Sequence, residues 1–412
     1  MPKTLFRNAR VFDGSSDRLR DRIDVLTAGG LIENVSDTEL PLDDADLFEC
    51  SGRVLMPGLI DAHVQVYASS LNVQRIVSAP MSYTAHFAGR FLRHALQCGF
   101  TTVRDVGGAD HGLATALKEG LLDGPRLIYG GRVLSQTGGH GDFRAAEQDG
   151  YLHCCGCHGA HVDGFCAVVN GVDQVRAAAR EELRRGAAHI KIMASGGVAS
   201  PNDPLERCQF ADDEISAAVE EAVRWGAYAV AHCHPSEAIA RAVKLGVRSI
   251  EHATLIDEET ARLIVDRRAF AVPTMATIFA LLDDGPKLGF PPASVAKLKG
   301  LGDRAMAGLE IMKAAGVQLG FGTDLLGPHY VRQGTEFELR ARVLPPLDIL
   351  RSATSINARL LNQEGVLGCI RQGAAADLLV VQGNPLEDIS ILARPNGEGI
   401  AAVMKDGRFS RR

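Results

Sequence analysis

The chain has no run of about 20 apolar residues of the kind that crosses a bilayer, so no membrane span is expected. Its opening stretch, MPKTLFRNARVFDG, lacks an apolar signal core and passes directly into strand-like alternation. Charge of neither sign dominates: 44 Lys and Arg stand against 50 Asp and Glu, a net of -6, which removes the case for nucleic acid or an anionic membrane as partner. Nine cysteines, an odd number without a secretory segment, argue against a disulfide framework. No Gly-rich dinucleotide turn follows the first strong apolar strand. Ser195-Gly196-Gly197 also lacks the Gly-Lys-Ser/Thr continuation of a phosphate loop. The expectation is a cytoplasmic protein whose 412 residues, 46% of them hydrophobic, bury one large core and a smaller second one.

Both ends of the chain have the same texture. Leu5-Phe6, Val11-Phe12, Asp24–Leu26 and Leu31-Ile32 near the start read as short strands separated by turns. So do Asp377–Val381 and Ala401–Met404 near the finish. This predicts one small β-sandwich domain assembled from residues 1–57 and 360–412. The middle, 58–359, alternates instead. Apolar, β-branched runs recur at Leu59–Val66, Thr101–Val106, Leu127–Leu134, His189–Ala194, Tyr228–Cys233, Ser249–Ala253, Phe270–Met275 and Gln318–Thr323. Helical periodicity fills most of the gaps, as in Val172–Arg185 and Asp212–Trp225. Eight strands alternating with helices predict an α/β fold of the (β/α)8 TIM-barrel type.

The stretch MPGLIDAHVQVY, Met56 to Tyr67, organises the rest. Its apolar run ends in His63 and Gln65, two apart and therefore on one face of a strand, able to reach one point together. The C-terminal tips of barrel strands are where such enzymes hold metals and do chemistry. At successive tips stand Arg104-Asp105, Gly138-Gly139-His140, Lys191, His232 and His234, His252 and Asp324. Any one of these is ordinary as a hydrogen-bonded structural group or a helix cap. Together at one end of a barrel they point to a metal site. Lys191, flanked by Ile190 and Ile192, would aim its ammonium into the barrel. There it needs a carboxylate partner or must lose its charge, and carbon dioxide can convert it to an anionic carbamate. For Arg104 a structural salt bridge is the expected role.

The motifs PGLIDAHV, HIKIMASGG, AHCH, SIEHA and FGTDLLG, in this order, resemble those of the metal-dependent amidohydrolase superfamily. More narrowly they resemble its imidazolonepropionase-like branch of peptidases, which act on Xaa-Pro dipeptides and on related N-acyl or C-terminal amino acids. The resemblance implies that His63, carbamylated Lys191, His232, His252 and Asp324 hold one or two Zn²⁺, and that His140 and His234 contact a small-molecule amide or dipeptide. It also implies frequent homo-oligomers. One position departs: the family's first strand ends His-x-His, and this chain has His63-Val64-Gln65. A Gln oxygen is a neutral, weaker donor to zinc, which leaves three outcomes: Gln65 ligates through its oxygen, the more buried metal binds weakly, or the enzyme runs on one metal. An occupied but weakened first site is the expectation. The expected reaction is hydrolysis of an amide by metal-activated water. In it Asp324 serves as general base and acid, and His140 or a second metal steadies the oxyanion. A carbamate, urea or cyclic amide is the alternative substrate, and a ligand-binding barrel with a degraded metal site the non-catalytic one.

Further substrate contacts are expected from Tyr67, Tyr83 and Ser195, with the backbone amides after Ser195 facing a substrate carboxylate. Cys154-Cys155-Gly156-Cys157-His158 matches the spacing of haem attachment. Without an export signal it reads better as a long loop over the barrel mouth. Arg144, Arg207 and Arg332 are the charged candidates for a substrate carboxylate.

Overall fold

The computed structural model describes residues 3–144, 165–200 and 203–412. The two ends of the chain do meet in one sheet. Its strands are β1 (Thr4–Val11), β2 (Arg20–Ala28), β3 (Leu31–Ser36), β4 (Asp46–Glu49), β5 (Val54–Pro57), β16 (Leu378–Val381), β17 (Ile400–Lys405) and β18 (Arg408–Arg411). The order is β18-β17-β16-β5-β1-β2-β3, with β4 on β1, so β5 and β16 are the antiparallel seam joining the termini. Phe6, Val25, Leu55, Leu378 and Met404 fill its own apolar core.

Between these ends the strands are parallel and lie in two hydrogen-bonded groups. One is β6 (Leu59–Val64), β7 (Phe100–Asp105) and β8 (Arg126–Tyr129). The other runs β10 (Cys166–Val168), β9 (Val133–Ser135), β11 (His189–Met193), β12 (Tyr228–Pro235), β13 (Ser249–Leu255), β14 (Phe270–Val272) and β15 (Gln318–Leu319). Backbone bonds outside the regular ladders bridge the two groups, among them Asp324 N donating to His63 O at 2.8 Å. Ala188 N donates to Tyr129 O at 2.9 Å, and Ala62 N donates to Phe321 O at 2.8 Å. The result is an α/β, TIM-barrel-like fold.

Helices Met81–Gln97, Gly171–Arg184, Asp212–Arg224, Ser236–Lys244, Glu258–Asp266 and Leu301–Ala315 run between strands. Their ends follow local chemistry. Asp212, Asp213 and Glu214 open one helix and Arg224 closes it, matching the helix dipole. The Asp257 side chain accepts from Thr260 N and caps another. Among the described residues no helix is long and apolar enough to cross a membrane.

The single third strand expected over 127–134 is in fact two, β8 and β9. The break at Gly131 (φ +73°) is pinned by Glu182, which accepts from Arg132 Nε at 2.6 Å. The last two runs are also shorter than expected. Regular pairing stops before Pro273, and beyond β15 the chain continues outside regular secondary structure to carry Asp324 to the mouth. Gly322 is required there, because a Cβ would lie 2.7 Å from Cβ of His63.

Candidate metal centre

At the C-terminal mouth of the barrel lies a cavity of about 80 Å³. Its floor carries Gln65, Lys191, His232, His252 and Asp324, with His140 and His234 beside them. Ile76, Phe165, Ile278 and Leu281 are among its apolar walls. His63, fully buried on β6, lies behind the floor; its ring centroid is 5.0 Å from that of His252. His232 stacks 4.3 Å from His140 and meets His252 edge-on at 4.5 Å.

Two backbone irregularities deliver these groups. Glu251 and His252 are consecutive, and on a regular strand they would point to opposite faces. His252 (φ +72°) and Ala253 (φ +49°) are left-handed, which breaks the alternation. Glu251 can then reach His63 while His252 faces the cavity. Asp324 also has a positive φ, +51°. Non-glycine residues rarely hold this conformation, and both positions lie at the candidate site.

One ligand atom each from His63, His252 and Asp324 can be chosen so that all lie within 4.8 Å of one another. His63 Nε2 is buried and makes no hydrogen bond among the described residues, while Asp324 Oδ1 stands 3.3 Å away. Two lone-pair atoms this close require a proton or a cation between them. A buried imidazole, a second imidazole and a carboxylate form the donor set that zinc takes. These residues fit a divalent cation.

Charge around the floor follows burial. Burial opposes protonation of His63, yet Asp324 and Glu251 outweigh it and raise its pKa. Burial and neighbouring cationic groups hold His232 and His252 well below the ordinary imidazole range. His234 is pushed down to about 3, mainly by burial. Lys191, 1% exposed, is lowered by burial against the pull of Glu251 and Asp324. Glu251 is held well below the usual carboxylate range: burial works the other way, but Arg104 and His63 outweigh it.

Several expected contacts have other tasks. Gln65 lines the cavity, but its Nε2 donates to Asp324 Oδ1 at 2.9 Å, so the side chain presents a donor to that carboxylate rather than an oxygen to a cation. Ser195 does not line the cavity. Its hydroxyl donates to Gly196 O and accepts from His234 N at 3.0 Å, so it holds β12 in place. The amides after it are consumed internally: Gly196 N donates to Arg207 O and Gly197 N to Asp203 Oδ2, each at 2.9 Å. They are not available to a substrate carboxylate. Tyr67 is buried and donates to Asp110, and Tyr83 is 52% exposed on the helix Met81–Gln97; neither lines the cavity. Arg332 is paired with Asp283 and Asp284, and Arg144 with Asp142. The Cys/His-rich loop 153–161 lies outside the described residues.

Residues that the sequence did not single out hold the site in shape. His140 Nδ1 is 2.9 Å from Ser200 Oγ and 3.1 Å from Asp203 Oδ2, and its backbone N donates to Gln209 Oε1 at 2.9 Å. Lys297 pins that loop by donating to the carbonyls of Gly197 and Ser200 at 2.8 Å. Thr254 and Thr274 bond Nδ1 of His234 and His252 at 3.0 and 2.8 Å. Glu251 accepts from the buried Arg104, the salt bridge expected for that arginine. Only alternation within SIEHATL, which places Ser249 and Glu251 on one face, could have pointed to any of these.

A family model described as "Amidohydrolase family" matches residues 54–409. The ochratoxinase of Aspergillus niger is 34% identical over 365 residues, covering 86% of this chain and 75% of that one. A crystal structure of a prolidase complexed with N-methylphosphonate-L-proline superposes with a TM-score of 0.96 at 44% identity, covering 100% of both chains. A Xaa-Pro dipeptidase with methionine bound in its active site gives a TM-score of 0.88 at 32% identity, again over 100% of both chains.

Proposed function

The chain belongs to the amidohydrolase family, and on that premise we propose that this hydrolytic enzyme cleaves the amide bond of small substrates. The class is Xaa-Pro and related dipeptides, or N-acyl amino acids of the ochratoxin kind. The observation that carries the reading is the meeting of ligand atoms of His63, His252 and Asp324 within 4.8 Å, the last two lining the floor of an apolar-walled cavity and His63 buried behind it. The similarity to ochratoxinase and to prolidase structures supports the substrate class.

Zn²⁺, one ion or two, would be held by His63, His252 and Asp324 together with His232 and Lys191. When bound it supplies Lewis acidity to water and to the scissile carbonyl. Lys191 would serve as a carbamate. Its neutral amine adds to carbon dioxide, a new N–C bond forms as one C=O π bond opens, one proton leaves the nitrogen, and a neutral buried group becomes an anion. Asp324 takes a proton from the attacking water at its carboxylate and gives it to the departing nitrogen. The Gln65 amide keeps Oδ1 of that carboxylate in place through the 2.9 Å bond. His140, fixed at Nδ1, turns the rest of its ring to the cavity to steady charge on the carbonyl oxygen. His234 contacts the substrate beside it, and the apolar walls exclude bulk water. Residues 1–57 and 360–412 serve as a β-sandwich domain bracing the barrel of 58–359.

The test is a panel of Xaa-Pro dipeptides, N-acyl amino acids, aryl ureas and carbamates offered to zinc-reconstituted protein, with product release followed by chromatography. Cleavage confined to the ureas or carbamates, or none of the amides cleaved by protein carrying zinc, overturns the assignment.

A further inference from the structure

One fully buried polar group behind the site is not a candidate ligand but a carboxylate with two occupied ends. Glu251, fully buried on β13, accepts at Oε1 from Arg104 Nη2 at 2.8 Å and from Ser249 Oγ at 2.5 Å. Its Oε2 lies 2.7 Å from Nδ1 of His63. Arg104 is itself tied down, donating Nε to Ala62 O at 2.5 Å and both terminal nitrogens to Ser249 Oγ at 3.2 and 3.3 Å. This packing leaves Glu251 no freedom to turn. At Oε1 it meets only donors, so the carboxylate is an acceptor at both ends.

We infer that Glu251 is a positioning residue that fixes the tautomer of His63, keeping the proton on Nδ1 so that Nε2 offers its lone pair to the cation. The inference rests on the metal reading above. A neutral imidazole has one donor nitrogen and one acceptor. An acceptor oxygen 2.7 Å from Nδ1 assigns the donor to that atom. Nε2 is then the free lone pair, and it is the nitrogen that faces Asp324 at 3.3 Å. The left-handed backbone at His252 and Ala253 is what lets one strand supply both this partner of His63 and the neighbouring imidazole. The whole relay of Arg104, Ser249, Glu251 and His63 lies within the barrel and away from the substrate walls. Its effect is therefore on metal retention and not on substrate fit.

Glu251→Gln inverts the logic without changing size. If its amide oxygen stays with Arg104 and Ser249, its NH₂ faces His63 Nδ1 and drives the proton to Nε2. If the amide turns round, the NH₂ meets the guanidinium. The experiment is zinc affinity by competition with a chromophoric chelator, for wild type, Glu251→Gln and Ser249→Ala. The zinc dissociation constant is expected to rise by about 10- to 100-fold in Glu251→Gln, and by only a few-fold in Ser249→Ala, which keeps the carboxylate. Long-range ¹H–¹⁵N spectra of histidine-labelled wild type supply a measurement that needs no variant, with His63 assigned by its loss in His63→Asn. The zinc-loaded protein is expected to show His63 protonated at Nδ1 and metallated at Nε2. Unchanged zinc affinity in a folded Glu251→Gln, or a His63 ring protonated at Nε2, overturns the inference. Should Glu251→Gln not fold, the wild-type spectrum alone decides. Wild type that takes up no zinc sinks the metal reading instead, and the His63 tautomer in the metal-free protein at alkaline pH still decides this one.

Discussion

Nε2 of Gln65 donates to Oδ1 of Asp324 across 2.9 Å, linking the tip of β6 to the segment that follows β15, 259 residues later. The family resemblance places a histidine at this position. Here a neutral amide orients the carboxylate expected to move the proton.

Gln65→Leu removes that donor while leaving the three-residue cluster of His63, His252 and Asp324. A hydrogen bond to a charged group contributes about 1.5–3 kcal/mol, so kcat is expected to fall by about 10- to 100-fold. Zinc per protomer, measured by elemental analysis, should stay as in wild type. Gln65→His adds an imidazole and should raise the zinc count; an unchanged count would mean that the position does not reach the metal.

Asp324→Asn keeps the shape of the side chain and loses its basicity. Turnover is expected to vanish while zinc content largely persists through His63, His232 and His252. Full activity in this variant, checked with the best substrate of the panel, would remove Asp324 from the proton-transfer role.

Gly197 forms the bed on which the His140 ring rests, and a Cβ there would overlap the ring atoms. Gly197→Ala should therefore push His140 out of register while sparing the barrel. A displacement of about 1 Å at a reacting group costs on the order of 100-fold in rate. The expected signature is a lower kcat with a melting temperature close to wild type, read by kinetics and calorimetry. A large loss of stability instead would show that the loop, and not the ring, had moved.

Asp105 and Glu336 predict a pH dependence of stability. Burial pushes both carboxyls up to about 7, against ordinary values of 3.8 and 4.5. Between those limits the folded state binds more protons than the unfolded state, so stability falls as pH rises. The contribution is fully present below the ordinary values, is lost on the way up through about 7, and amounts to about 1.4 kcal/mol per pH unit per group. Asp105→Asn and Glu336→Gln should each flatten the urea midpoint between pH 5 and 7 relative to wild type. Parallel curves would rule out a raised native pKa at that residue.

Much of this protein is local in origin. Alternation and turn residues announced strands at both ends and barrel strands in the middle, because side-chain periodicity is a property of neighbouring residues. His63, Lys191, His232, His252 and Asp324 could be picked out because they are unusual residue types at the ends of apolar runs. What sequence spacing could not supply were relationships across the barrel. Glu251 under His63, Asp203 and Lys297 behind His140, and the amide of Gln65 on Asp324 join residues 63 to 259 positions apart in pairs that no local pattern encodes. The failure at Ser195 has the same cause. Whether its loop amides face a ligand or their own chain depends on Asp203 and Arg207, which the fold brings back against them. Residue order alone settles which chemical groups stand at the strand tips. Which atom of each faces the cavity is settled by packing across the barrel, since left-handed backbone at His252 and Asp324 and the closing of the barrel set those directions.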